Sequence, residues 1–160
     1  MPLYASLGFE VREPLALVAG MPHAQAAVEV EVRPMTDADL DGCAALCERI
    51  HGFSRAGELR DSLRRFAPAV ALRAGRLVGY TSGLSMRGHG LVETQADLEA
   101  LIAGAAAFAP EPPALLLPTR QTAFFRWALA AGMRVVKPCT LMTIGAYQEP
   151  RGVYFPSILY

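Results

Sequence analysis

Two stretches of this chain repeat the same succession of residue types at a fixed spacing, and that repetition constrains the fold more than any other feature. Aligning Gly8 on Gly132 sets an offset of 124 residues, and Val11 then falls on Val135, Pro14 on Pro138 and Leu17 on Leu141. Each stretch reads as a glycine, a strand, a proline and a further apolar strand. A repeat at constant offset is explained most directly by duplication of a structural unit. Chance agreement between two common helix–glycine–strand units is the alternative that residues alone leave open.

The periodicity between the two stretches gives an alternating order of strands and helices. Val28 to Val32 reads Val-Glu-Val-Glu-Val, the period of a half-buried strand, and Pro34 ends it. Thr36, three residues before Asp39, has the spacing of a capping box. Leu40, Cys43, Ala44, Cys47 and Ile50 then make a helical stripe closed by Gly52, and a second helix is expected from Ser54 to about Arg65. Ala69–Arg73 and Leu77–Leu84 flank Ala74-Gly75-Arg76 as a hairpin, and Gly83, Gly88 and Gly90 mark a loose stretch after it. A third helix opens at Thr94 with Asp97 three residues on, and Pro110–Pro113 ends the loop before the short buried strand Ala114–Leu117. A fourth helix is expected over Gln121–Ala131 with Gly132 as its left-handed cap, followed by strands at Met133–Val136, Leu141–Ile144 and Val153–Leu159. The implied fold class is α/β (α+β), a mixed, mostly antiparallel sheet with helices on both faces and at least one parallel pairing in the second half.

Composition excludes several classes. Fifteen basic and fifteen acidic residues cancel, so no basic face for nucleic acid is expected. The apolar runs Ala105–Ala109 and Leu115–Leu117 are far too short to cross a bilayer, and no secretion signal is visible at the N-terminus. Three cysteines do not suggest a disulfide framework, so a reduced, cytoplasmic setting is the expectation.

The order of elements resembles that of the GCN5-related N-acetyltransferase (GNAT) superfamily, over roughly Val28 to Tyr160. Val30-Glu31-Val32-Arg33-Pro34-Met35-Thr36-Asp37-Ala38-Asp39-Leu40 resembles the family's first strand and helix start. Ala74-Gly75-Arg76-Leu77-Val78-Gly79-Tyr80 resembles its second hairpin, and Tyr4-Ala5-Ser6-Leu7-Gly8-Phe9 resembles the Y-x-x-x-G-F motif between its last helix and the next strand. With the repeat, this implies that residues 1–27 are the remnant of a preceding copy and residues 28–160 one GNAT-like domain.

The resemblance implies acetyl-CoA as cofactor, a small amine as acyl acceptor, and a pyrophosphate held by backbone N–H groups where a loop opens a helix. Arg87-Gly88-His89-Gly90-Leu91-Val92 is the matching segment, so Arg87, Gly88 and Gly90 are the candidate coenzyme residues. Val92 departs from the small residue the motif calls for. Asp97 would compete for the helix start that a phosphate needs. Glu93 and His89 are the candidate general bases, against the blander reading of a surface charge and a loop residue. The acid tyrosine of the family falls on Ala128 in the complete copy and on Tyr4 in the remnant, with Tyr80 and Tyr147 as possible substitutes. The neighbouring asparagine falls on Gln121. Arg120, after the buried strand, is a candidate holder of an anion.

Cys43, Cys47 and His51 recur every four residues on one helix face, but a packed core stripe is the preferred reading over a metal site. No G-x-S-x-G elbow or Walker loop is present. Two functions therefore stand: CoA-dependent acyl transfer to an amine, or a silent GNAT-like module that stabilises a partner copy, dimerises or senses a small ligand. A homodimer through an orphan strand at about Val11–Val18 is a further expectation.

Overall fold

The computed structural model describes residues 2–24 and 29–158, so Val28, Leu159 and Tyr160 lie outside the described residues. Five helices, α1 (Pro2–Ser6), α2 (Leu40–His51), α3 (Ala56–Arg65), α4 (Gln95–Ala106) and α5 (Thr122–Ala130), accompany eight strands. The strands are β1 (Glu10–Ala19), β2 (Val30–Pro34), β3 (Ala69–Arg73), β4 (Arg76–Thr81), β5 (Gly90–Val92), β6 (Ala114–Pro118), β7 (Arg134–Thr143) and β8 (Val153–Phe155). They form one sheet in the order β2-β3-β4-β5-β8 and a second in the order β6-β1-β7.

Side chains of the five-stranded sheet alternate between two apolar layers, as a period-2 pattern requires when both faces are covered. Val70, Tyr80, Leu91 and Tyr154 face α2 and α3, where Cys43, Leu46, Cys47 and Leu59 are buried. Ala69, Ala71, Val78, Val92 and Phe155 face Leu98, Leu101, Ile102 and Ala105 of α4. Helices thus cover both faces, and Cys43 and Cys47 belong to the packed stripe of α2.

Local signals held at several places. Thr36 and Asp39 form a capping box ahead of α2, and Gly52 ends that helix at φ 85. Ala74 and Gly75 both take positive φ, 49 and 76, the pair of left-handed residues that a tight β3–β4 hairpin needs.

Three expectations are corrected. Every ladder among the described residues is antiparallel, so the parallel pairing is not found. The reason is that two strands are inserted: β8 is bonded to β5 and touches β6, while β1 lies between β6 and β7. Secondly, the two strands expected around Pro138 are one continuous strand, β7. It is an edge strand, where a residue without an N–H is tolerated. Thirdly, the orphan strand is not an orphan. β1 is held within the chain, with β6 on one edge from Leu15 to Ala19 and with β7 along the other, so only its first half, Glu10 to Pro14, has no described strand on the β6 side.

Candidate functional site

The segment carrying the sequence-matched residues runs from the β4–β5 connection through β5 to the start of α4. The structure separates them. Arg87 is exposed and lines a cleft of about 610 Å³ together with Arg65, Phe66, Met86 and Ile158. Glu93 lies past the other end of β5, before α4. His89 is buried between them.

Each glycine that was expected to leave room for a ligand is covered by the protein itself. A Cβ on Gly88 would stand 2.1 Å from the Gly83 carbonyl oxygen, and one on Gly90 would stand 2.4 Å from Cε1 of Phe155 in β8. Val92 meets its own complement. It pairs with Gly79 of β4, and a Cβ on Gly79 would lie 2.3 Å from Val92 Cγ1, so the missing side chain of one makes room for the branch of the other.

The start of α4 is closed in the same way. Thr94 Oγ1 accepts from the Asp97 N–H at 3.2 Å, while Asp97 Oδ2 accepts from the Thr94 N–H at 3.1 Å and from its hydroxyl at 2.7 Å. Asp97 is fully buried and also takes a bond from Arg73 Nη2 at 2.6 Å. A buried carboxylate already sits where an anion would dock, and like charges repel there.

Neither candidate base stands open. Glu93 accepts two bonds from Arg76, at 2.6 and 2.8 Å, and one from Arg49 at 2.6 Å. The Arg76 bond, above all, holds its carboxyl below the usual carboxylate range and makes it a weaker base. His89 is 1% exposed; its Nδ1 lies 2.8 Å from Glu58 Oε1 and 3.1 Å from Ser82 Oγ, and its Nε2 lies 3.0 Å from the Tyr80 hydroxyl. Burial lowers its pKa although Glu58 opposes the shift. Arg55 in turn donates to Glu58 at 2.8 Å. The group ties α3 to β4 and β5.

The residues weighed as the acid lie on different elements. Ala128 is fully buried on α5, and Tyr4 is on α1, half exposed. Tyr80 is buried, which raises its pKa well above the ordinary value, and Tyr147 lines a separate cleft of about 430 Å³ with Phe9, Phe53 and Met142.

What sequence reasoning missed is the role of β8. Its three residues pair with β5 as Gly90 with Phe155, Leu91 with Tyr154 and Val92 with Val153, so the second edge of β5 is taken. Gln121, at the place of the family's asparagine, gives both ends of its amide to this strand: Nε2 donates to the Tyr154 carbonyl at 2.6 Å, and Oε1 accepts from the Tyr154 N–H at 3.3 Å. The Tyr154 hydroxyl donates to Glu13 Oε1 at 2.6 Å. Arg120 completes the set, bonded to Glu13 at 2.7 Å, to the Tyr154 hydroxyl at 2.9 Å and to Glu149 at 2.8 Å, and its charge is thereby matched by carboxylates of this chain. Beyond β8, the Ile158 N–H donates to the Met86 carbonyl at 2.8 Å. A strand of three residues carries no periodicity, which is why only the apolar run was legible.

The residues present do not fit a CoA pyrophosphate at the start of α4, nor an extended ligand along β5, while β8 stays in place. Among the described residues no group of three or more histidines, cysteines or carboxylates is placed to hold a metal ion.

No family model matches the chain, and no curated protein matches it in sequence. Its fold is similar to those of several solved structures. A candidate acetyltransferase from Pyrococcus horikoshii superposes with a TM-score of 0.67 at 14% identity, over 94% of this chain and 51% of that one. A Drosophila protein gives 0.61 at 15% identity, over 90% and 55% of the two chains. A candidate acetyltransferase of the GNAT family from Novosphingobium aromaticivorans gives 0.53 at 18%, over 87% and 69%. The chain therefore has a GNAT-like fold, and it spans about half the length of the first two of these structures. No helix among the described residues is long and apolar enough to cross a membrane.

Proposed function

We propose that this chain is a GNAT-like module that does not itself transfer acyl groups and that acts in company with a second unit of the same kind. In this reading residues 1–27 are the end of a preceding copy and residues 28–160 a copy whose coenzyme cleft is closed by its own β8. The observation that carries it is the occupation of β5: Phe155 lies over Gly90, and Gln121 fixes the backbone of Tyr154. The closed α4 start, the paired Glu93 and buried His89, and alanine at position 128 support the same conclusion. Three free cysteines, two of them buried, fit a reducing compartment.

Acyl transfer from acetyl-CoA to a small amine is the second reading, favoured by the GNAT-like fold and by Arg87, exposed on an open cleft. It requires β8 to leave β5. Titration calorimetry with acetyl-CoA, together with CoA-thiol release over a panel of amines, separates the two. The silent module gives no heat at millimolar coenzyme and no thiol above the uncatalysed rate. Micromolar binding with thiol release would establish the enzyme instead.

A further inference from the structure

We propose that the outer edge of β7 between Cys139 and Thr143, with the bare apolar side of α1, is the docking surface for a second GNAT-like unit. One strand of that unit pairs antiparallel with β7 as β6 pairs with β1. The inference rests on the tandem reading above but not on the absence of acyl transfer.

The support is a local two-fold symmetry. At the repeat offset of 124, β1 (Glu10–Ala19) falls residue for residue on β7 (Arg134–Thr143), and the ends of α1 and α5 coincide as Ser6 and Ala130. Gly8 and Gly132, which follow these helices, take φ 88 and 89. The two strands also pair with each other, and the pairing is symmetric under exchange. Glu10 faces Thr143 as Ala19 faces Arg134, and Val11 faces Met142 as Val18 faces Val135. The irregularities match too: the residue skipped in β1 is Arg12 and the one skipped in β7 is Val136, again the same offset apart. Leu15 faces Cys139, its own equivalent, so the axis passes through that pair.

Among the described residues this axis maps β6 and the body over α5 onto nothing. β6 lies on β1 from Leu15 to Ala19, and the equivalent stretch of β7, Cys139 to Thr143, has no described strand on its outer side. The other half of β7 carries Lys137, Pro138 and the irregularity at Val136, devices that keep strand edges from pairing. Residues 139–143 carry none. Helix α1 gives the same answer independently. Leu3, Tyr4 and Leu7 are 67%, 53% and 58% exposed, whereas their equivalents on α5 are Trp127, packed against the core, and Ala128 and Ala131, both buried. Among the described residues the body that covers α5 has no counterpart over α1. The occupant is therefore a body equivalent to residues 29–125, and a chain spanning about half of its structural neighbours leaves room for one.

The offset also specifies the test. Residue 125 is followed by the equivalent of residue 2, so a second copy of residues 29–125 is fused directly ahead of residue 2 of the full chain. Hydrogen–deuterium exchange is compared between the fused and the 160-residue proteins, with light scattering to report mass. A monomeric fusion whose 139–143 amides exchange at least ~100-fold more slowly supports the surface. So does loss of that protection with Leu7→Glu in the fusion, if the same change leaves the melting temperature of the 160-residue chain unmoved. Unchanged exchange at 139–143 overturns the proposal, whether the added residues fold apart or fail to fold. Protection that grows with the concentration of the unfused chain also overturns it, by assigning the edge to a second copy. Coenzyme titration of the same samples reads the proposed silence separately.

Discussion

Replacing Gln121 tests whether β8 is held as firmly as its bonding implies. In Gln121→Ala the Tyr154 N–H and C=O, which face away from β5, lose the amide that satisfies both. Tyr154 is 2% exposed, so neither group has free access to water. A buried backbone group left without a partner costs about 1–3 kcal/mol. Gln121 itself is half-buried, and water can enter the space its side chain leaves, which puts each loss at the low end. The expected total is about 2–3 kcal/mol, and at about 2–4 °C per kcal/mol for a chain of this size the melting temperature falls by ~4–12 °C. Gln121→Glu sharpens the test. It keeps size and the acceptor but turns the donor at 2.6 Å into an oxygen facing the Tyr154 carbonyl, so it should cost at least as much as alanine. Circular dichroism melts, with hydrogen exchange at residues 153–155, read both effects. A shift under ~1 °C for alanine, or a glutamate variant as stable as the wild type, would refute the reasoning.

The other predictions follow from single contacts. Gly90→Ala drives a methyl into the Phe155 ring, where a Cβ would stand 2.4 Å away, so the urea midpoint should drop by the equivalent of ~1–3 kcal/mol and β8 amides should exchange faster. Gly79→Ala should be destabilising, and Val92→Ala should rescue part of that loss, because Val92 Cγ1 is the atom in the way; additive midpoints would contradict the pairing. His51 is buried with Nδ1 2.8 Å from the Arg151 carbonyl oxygen, and burial, the largest effect, lowers its pKa from 6.5 to about 4. The unfolded chain therefore binds a proton that the folded one refuses. Stability is whole above the unfolded value and falls as the pH drops from 6.5 towards about 4, by about 2 kcal/mol at pH 5. Urea titrations at pH 7 and 5 check this, and His51→Gln should flatten the slope.

Much of the fold was legible because its determinants are local. The Thr94–Asp97 box, the Gly52 and Gly132 caps and the Ala74-Gly75 turn each need only a few neighbouring residues, and each formed as read. Of the five-stranded sheet, β2 was legible by alternation and β3 and β4 by their hairpin, whereas β5 was read as part of a loose glycine stretch and β8 only as an apolar run. Insertion was not legible. Nothing in Glu10–Ala19 says that it lies between β6 and β7, and nothing in Val153–Phe155 says that it lies on β5, because those partners are distant in sequence. Pro138 misled for a related reason, since a proline interrupts a strand only if its N–H is needed.

The candidate site was half legible. The spacing of Thr94 and Asp97 was visible in the sequence, and the self-capped α4 start follows from that pair. The glycines were misleading because close approach to a ligand and close approach to another part of the chain leave the same mark. Gly88 serves the Gly83 carbonyl and Gly90 serves Phe155. His89 and Glu93 had the right chemistry for bases, but their partners Glu58, Arg49 and Arg76 come from elements that no motif connects to them.

A crystal structure grown in millimolar acetyl-CoA asks the main question directly: who occupies β5. The prediction is Phe155 on Gly90 and Gln121 bonded to Tyr154, with no coenzyme bound in the protein. Coenzyme density lying across Gly88 to Val92, with β8 displaced, would contradict the account at its centre.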